Sequence, residues 1–209
     1  MEQQFQYYAF ISYKREDEKW AKWLQDRLRW YKLPSKLCRQ ITRLPKKVWP
    51  VFRDNTDLDS GRLEENIRHE LERSHYLIVI CSPEAARSPW VGKEVKYFAT
   101  LHGADKIIPF VVSGIPYSND IKTECIHEQI KAISQEELLA INVREEGIGS
   151  FAMKKKRAFI RVVARLLDIK FNTLWQPYER ILRIRKWSTG IGVVFILIRF
   201  IHLVGLLPD

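Results

Sequence analysis

The chain has 209 residues, 46% of them apolar, a length and composition that suit one globular domain with an appendage better than two full domains. Its three cysteines, Cys38, Cys81 and Cys125, are far apart and show no CxxC or Cys/His spacing, which argues against zinc and fits a reducing compartment. The net charge of +10 is uneven: residues 1–143 hold 22 Lys/Arg against 20 Asp/Glu, and residues 144–209 hold 13 against 5, an excess placed for anionic lipid rather than for a nucleic-acid-binding module. The first ten residues have no basic n-region or signal-peptide h-region, so the main domain is expected to stay in the cytoplasm.

Along the chain, the apolar and aromatic run 7–13 predicts a buried strand. Trp20, Trp23, Leu24, Leu28 and Tyr31 then recur at helical spacing up to Pro34 and Ser35. The stretch 36–47 reads as a basic loop, and 48–52 as a second strand that Pro50 pushes to a sheet edge. A turn-rich segment leads to a helix marked by Leu63, Ile67 and Leu71. Residues 75–82 (HYLIVICS) form a continuous, β-branched run, as in a strand buried on both faces, with Cys81 as a small core residue. Ser88 and Pro89 look like an N-cap and first-turn proline, opening a helix that carries Trp90, Val91, Glu94, Phe98 and Leu101. Strands follow at 106–112 and, more weakly, at 138–143.

This alternation predicts an α/β fold with a mostly parallel five-stranded sheet flanked by helices. An amphipathic helix over 151–169, with Ile160, Val163, Ala164 and Leu167 in its stripe, completes the domain. A basic connecting helix over 170–186 and an apolar helix over 187–207 come last. The apolar run has 21 residues, enough to span a bilayer. Arg199 and His202 are its flaws, since a central arginine costs about 2.5–3.5 kcal/mol on insertion scales. An amphipathic or core helix is the other reading. The basic run RILRIRK ahead of it predicts a domain anchored at the inner face of the membrane.

In open parallel sheets ligands sit beyond the C-terminal strand ends. The segments emerging there are 12–17, 53–61 and 82–90, all polar and charged. Trp90 and Glu94, four apart, share a helix face. The blocks FISYKREDE (10–18), FRDNTDLDSGRLEENI (52–67) and IVICSPEAARSPWVGKE (78–94) resemble successive blocks of a TIR (Toll/interleukin-receptor) domain, a flavodoxin-like fold. The likeness covers roughly residues 5–168. The long insert 33–47 and the basic helix before an apolar C-terminus resemble bacterial members that append a membrane helix.

The resemblance implies an enzyme that hydrolyses NAD+ at the nicotinamide–ribose bond, giving ADP-ribose or a cyclic product in bacterial immune or stress signalling. NAD+ is then substrate, and neither cofactor nor metal is expected. Glu94 falls on the family's catalytic glutamate. A carboxylate held against ribose would stabilise an oxocarbenium-like charge; nicotinamide leaves readily, so one carboxylate can suffice. Lys14 and Arg15 match a basic pair at the nucleotide site, with Lys14 where some relatives have arginine. Asp59 matches an acidic loop position near the ligand, or is a turn residue before Gly61. Trp90 stacks on a ring or belongs to the core, Tyr13 walls the pocket, and Asp54 is a structural partner of its loop. Glu94 is expected at a partly exposed helix position. The 53–62 loop, centred on Gly61 and its backbone freedom, is expected to mediate self-association. The alternatives are a non-catalytic TIR–TIR signalling adaptor, and a receiver domain, which the strand ending in Cys81 and Ser82 rather than aspartate argues against.

Overall fold

The computed structural model describes residues 5–41, 44–45, 47–53, 61–133, 139–144, 147 and 149–176, with backbone alone at 61–64. The chain divides into two units, Met1–Asp168 and Ile169–Asp209. In the first, β1 (Tyr7–Ser12) runs through a 3-10 turn (Arg15–Asp17) into α1 (Glu18–Trp30). The helical spacing read from the sequence buries Ala21, Leu24 and Leu28 on the inner face of α1. The stretch expected as a loop holds a short helix, α2 (Ser35–Gln40), which starts directly after Pro34 and seats Leu37 in the core.

The edge strand β2 (Val51–Arg53) begins after a cis Trp49–Pro50 bond. Next come α3 (Gly61–Glu72), β3 (Ser74–Cys81), the single turn α4 (Pro83–Ala86), α5 (Pro89–His102) and β4 (Ile107–Val111). Neither α4 nor α6 (Glu128–Ile133) is marked by a helical pattern in the sequence. A two-residue β5 (Ile141–Asn142) and α7 (Phe151–Leu166), capped by Ser150, close the domain. Gly61, expected at the centre of a loop, is instead the first residue of α3. Asp54, Asp59 and the expected helix at 187–207 lie outside the described residues. So do residues 177–186; 171–176 are helical, with the Phe171 and Trp175 rings stacked at 5.6 Å. No helix among the described residues is long and apolar enough to cross a membrane.

The strand order is β2-β1-β3-β4-β5, and every pairing is parallel. This is the flavodoxin-like order. Pro109, which has no N–H to give, lies where β4 pairs with β3; the pairing with β5 starts one residue later, at Phe110. The two-residue period of a strand splits the core in two. Phe10, Leu77, Val79, Cys81 and Val111 pack with Ile67 and Leu71 of α3, Val91, Val95 and Phe98 of α5, and Ile130 of α6. On the other side Trp23 of α1 lies against Phe110 and Phe159. Leu101 of α5 is exposed. Both layers leave the C-terminal ends of the adjacent central strands β1 and β3 at one edge, where the polar segments emerge.

Candidate active site

Two serines close the central strands, and each reaches the helix that follows the other strand. Ser12, the last residue of β1, donates its hydroxyl to Glu94 Oε2 on α5. Ser82, directly after β3, donates to Asp17 Oδ2, just before α1. The Ser82 oxygen also accepts from the Ala85 N–H at 3.0 Å and so caps α4. All four side chains are buried, Glu94 with only 4% of its surface accessible. The partly exposed position expected for Glu94 is therefore corrected. The helix period that lines Val91, Val95 and Phe98 against the sheet turns Glu94 inward as well, toward the end of β1.

The start of α5 is fixed from two sides. Ser88 caps it, its hydroxyl accepting from the Val91 N–H at 3.4 Å, and Pro89 needs no donor partner at the first turn. His127, which follows Ile126 in the connection before α6, packs on the same turn. The Gln129 N–H donates to His127 Nδ1 at 3.0 Å, so the proton sits on Nε2, which donates to the Ser88 carbonyl at 3.1 Å. Gly92 makes this approach possible: a Cβ there would stand 2.5 Å from His127 Cε1. Burial lowers the His127 pKa below 6.5, against the bond to Ser88 and the charge of Glu128, and keeps the ring neutral. Asp17 is shifted up by burial, opposed by the Ser82 bond and reinforced by Glu84 and Glu16. Burial also raises the Cys81 thiol well above its usual range, so it stays an inert core group.

The structure brings the expected residues of the first and third blocks to this edge. Tyr13 follows Ser12, half-buried, and its hydroxyl accepts from Arg53 Nη1 at 3.0 Å. Lys14 is half-buried and Arg15 exposed, side by side at the start of the 3-10 turn. Trp90 is partly buried against the core cluster, and the Lys93 ammonium lies 5.5 Å from its ring centre. Of the two readings of Trp90, these contacts are those of a core residue. Asp59 lies outside the described residues. Sequence reasoning missed Ser12, Asp17, Ser82, Arg53 and His127 as individual residues. The only signal for the serines was their place at the ends of apolar runs. What results is a pair of buried carboxylates, Glu94 and Asp17, held by Ser12 and Ser82 at the ends of the two central strands, with Lys14 and Arg15 following Ser12 in the chain. Among the described residues no three His, Cys, Asp or Glu side chains gather as for a metal.

The profile of the TIR domain family matches residues 9–146. The chain belongs to the TIR domain family. A relative from an Actinoplanes species, named NAD(+) hydrolase ApTIR, is 36% identical over 110 residues. That match spans 52% of this chain and 14% of the relative's own length. Among solved structures, the TIR domains of the activated Roq1 resistosome directly recognizing the pathogen effector XopQ superpose with a TM-score of 0.50 at 14% identity. The superposition covers 74% of this chain and 98% of that one, a likeness of fold. The TIR domain places its first and third sequence blocks at the ends of β1 and β3, while residues 54–60 of the second lie outside the described residues.

Proposed function

We propose that this TIR domain is an NAD+ glycohydrolase and that Glu94 carries the chemical step. The observation that carries the reading is the buried Glu94 carboxylate at the C-terminal sheet edge, held by Ser12. The 36% identity to a protein named an NAD(+) hydrolase supports it. In the reaction the bond from ribose C1′ to nicotinamide nitrogen breaks, its electron pair leaves with the nicotinamide, and that ring becomes neutral. Positive charge grows on C1′ and the ribose oxygen, where a fixed carboxylate stabilises it. Water then adds to C1′ and loses a proton, giving ADP-ribose; attack by the adenine of the same molecule gives the cyclic product. Lys14 and Arg15 take the pyrophosphate, Tyr13 and Trp90 bound the nucleotide, and Asp59 joins from its loop. Because Glu94 is 4% accessible, ribose must displace what covers it. Self-association around residues 53–62 is the step proposed to open and complete the pocket. The apolar run 187–207, behind its basic flank, is proposed to anchor the domain at the inner face of the membrane.

The deciding experiment is chromatography of NAD+ incubated with concentrated protein, wild type against Glu94→Gln. Nicotinamide release by wild type alone supports the reading; equal release sinks the catalytic assignment. The same burial favours a second reading. A carboxylate satisfied by Ser12 and covered by the fold is also what a structural residue looks like, and the domain would then be a TIR–TIR adaptor. No NAD+ consumption by the assembled wild-type protein would select it. Fractionation of cells with and without residues 187–209 tests the anchor: full-length protein left in the supernatant after gentle lysis refutes it.

A further inference from the structure

The near-neutral total of residues 1–143 hides a local excess. Residues 19–47 hold ten Lys and Arg and one acid, Asp26, a net of +9. On α1, Lys19, Lys22, Arg29 and Trp30 stand at i, i+3, i+10 and i+11, which is one helix face. All four are exposed, as is Asp26 among them. Lys36 and Arg39 extend the exposed positive charge onto α2. Trp30 leaves 73% of its surface in solvent, and Arg29 Cζ lies 5.5 Å from its ring centre and 5.7 Å from that of Trp49. A single exposed indole is ordinary on a protein surface. An indole set beside three exposed cations is not needed for folding, because the opposite face of α1 already supplies the core through Ala21, Leu24 and Leu28.

We propose that the outer face of α1 docks the TIR domain flat on an anionic bilayer surface. The cations meet lipid phosphates, and Trp30 sits at headgroup level. Tryptophan with an apolar body and a polar N–H prefers that depth, and Lys and Arg are drawn to the anionic leaflet. A single-stranded nucleic acid would instead call for a row of aromatic platforms along a basic groove, whereas α1 offers one indole on a helix. The proposal depends neither on the NAD+ reading nor on the 187–207 segment, since the charge and the indole lie within residues 19–47.

The test uses the full chain with phosphatidylcholine vesicles, with and without phosphatidylglycerol, read by co-sedimentation. Each cation near an anionic leaflet is worth about fivefold in binding, so Lys19→Gln, Lys22→Gln and Arg29→Gln together remove about a hundredfold of the preference for anionic vesicles. Trp30→Ala weakens binding to both vesicles, and added salt weakens the anionic preference. All these positions are exposed, so the variants should keep the wild-type circular dichroism. Lys96→Gln with Lys122→Gln, exposed elsewhere on the domain, leaves the preference intact. Equal but incomplete binding of wild type to both vesicles overturns the proposal. So does an equal loss in the Lys96/Lys122 control, which would make net charge rather than this face responsible, or single-stranded RNA displacing the protein from anionic vesicles. If the C-terminal segment holds all protein on both vesicles, quenching by brominated lipid decides, read as wild type minus Trp30→Phe. Quenching confined to anionic vesicles supports docking, and its absence overturns it.

Discussion

The Ser12 hydroxyl at the end of β1 donates to the Glu94 carboxylate of α5, across 82 positions of sequence, and both side chains are buried. The bond ties the first TIR block to the third. It also makes the site residue part of the fold, so function and stability have to be separated by the choice of substitution.

Glu94→Gln keeps the volume and an oxygen to accept from Ser12 while removing the charge. It should fold, and nicotinamide release should fall at least about a hundredfold, the usual cost of losing a preorganised electrostatic group. Glu94→Ala is the poorer probe. It leaves the buried Ser12 hydroxyl without this acceptor, and an unsatisfied buried group costs about 1–3 kcal/mol. Ser12→Ala should lose stability on the same scale. Denaturant midpoints beside turnover separate the two effects, and a folded Glu94→Gln protein with wild-type turnover would end the catalytic reading.

Gly92→Ala should destabilise the domain by about 1–3 kcal/mol, as overpacking does. Alanine is the better helix former by about 1 kcal/mol, yet its Cβ would stand 2.5 Å from a ring that two hydrogen bonds hold in place. A melting temperature equal to or above wild type would mean that His127 moves freely and does not position α5.

Stability should fall as pH drops below 6.5. The folded His127 has a lowered pKa, so the unfolded chain takes up its proton first; the stabilisation is full above 6.5 and is lost on the acid side, down through the folded value. His75 and His102, also lowered by burial, act in the same direction. Asp17 has the opposite sign: its raised pKa means a cost present at neutral pH that disappears as pH falls toward 3.8. Melting temperatures between about pH 7 and 5 should show the histidine effect, and His127→Gln should show a smaller fall. A flat wild-type profile would contradict it.

Arg53 joins three elements: its side chain is 9% accessible and donates to Tyr13 Oη at 3.0 Å, Gln25 Oε1 at 3.2 Å and Glu18 Oε1 at 3.2 Å. Lysine cannot span all three with one ammonium. If Tyr13 bounds the NAD+ site, Arg53→Lys should raise KM by about fivefold, the worth of one hydrogen bond, with kcat nearly unchanged. An unchanged KM would detach Tyr13 from the substrate.

The sequence by itself determined the parts whose causes are local. The β-branched run of β3, the one-sided stripe of α1 and the Ser88–Pro89 start of α5 each follow from neighbours within a few residues, and the structure shows all three. Pro50 likewise announced an edge strand, because a residue without an N–H fits poorly inside a sheet. The first and third TIR blocks marked the polar edge for the same reason: each is contiguous. Only the tertiary structure decided that Glu94 is buried, that Ser82 faces Asp17 from 65 positions away, and that His127 closes on Gly92. Those contacts depend on β1 and β3 lying side by side and on what packs over the helix ends. No spacing within one segment encodes either, since a glutamate at the same helical position stays solvated until a strand end and its hydroxyl are brought against it.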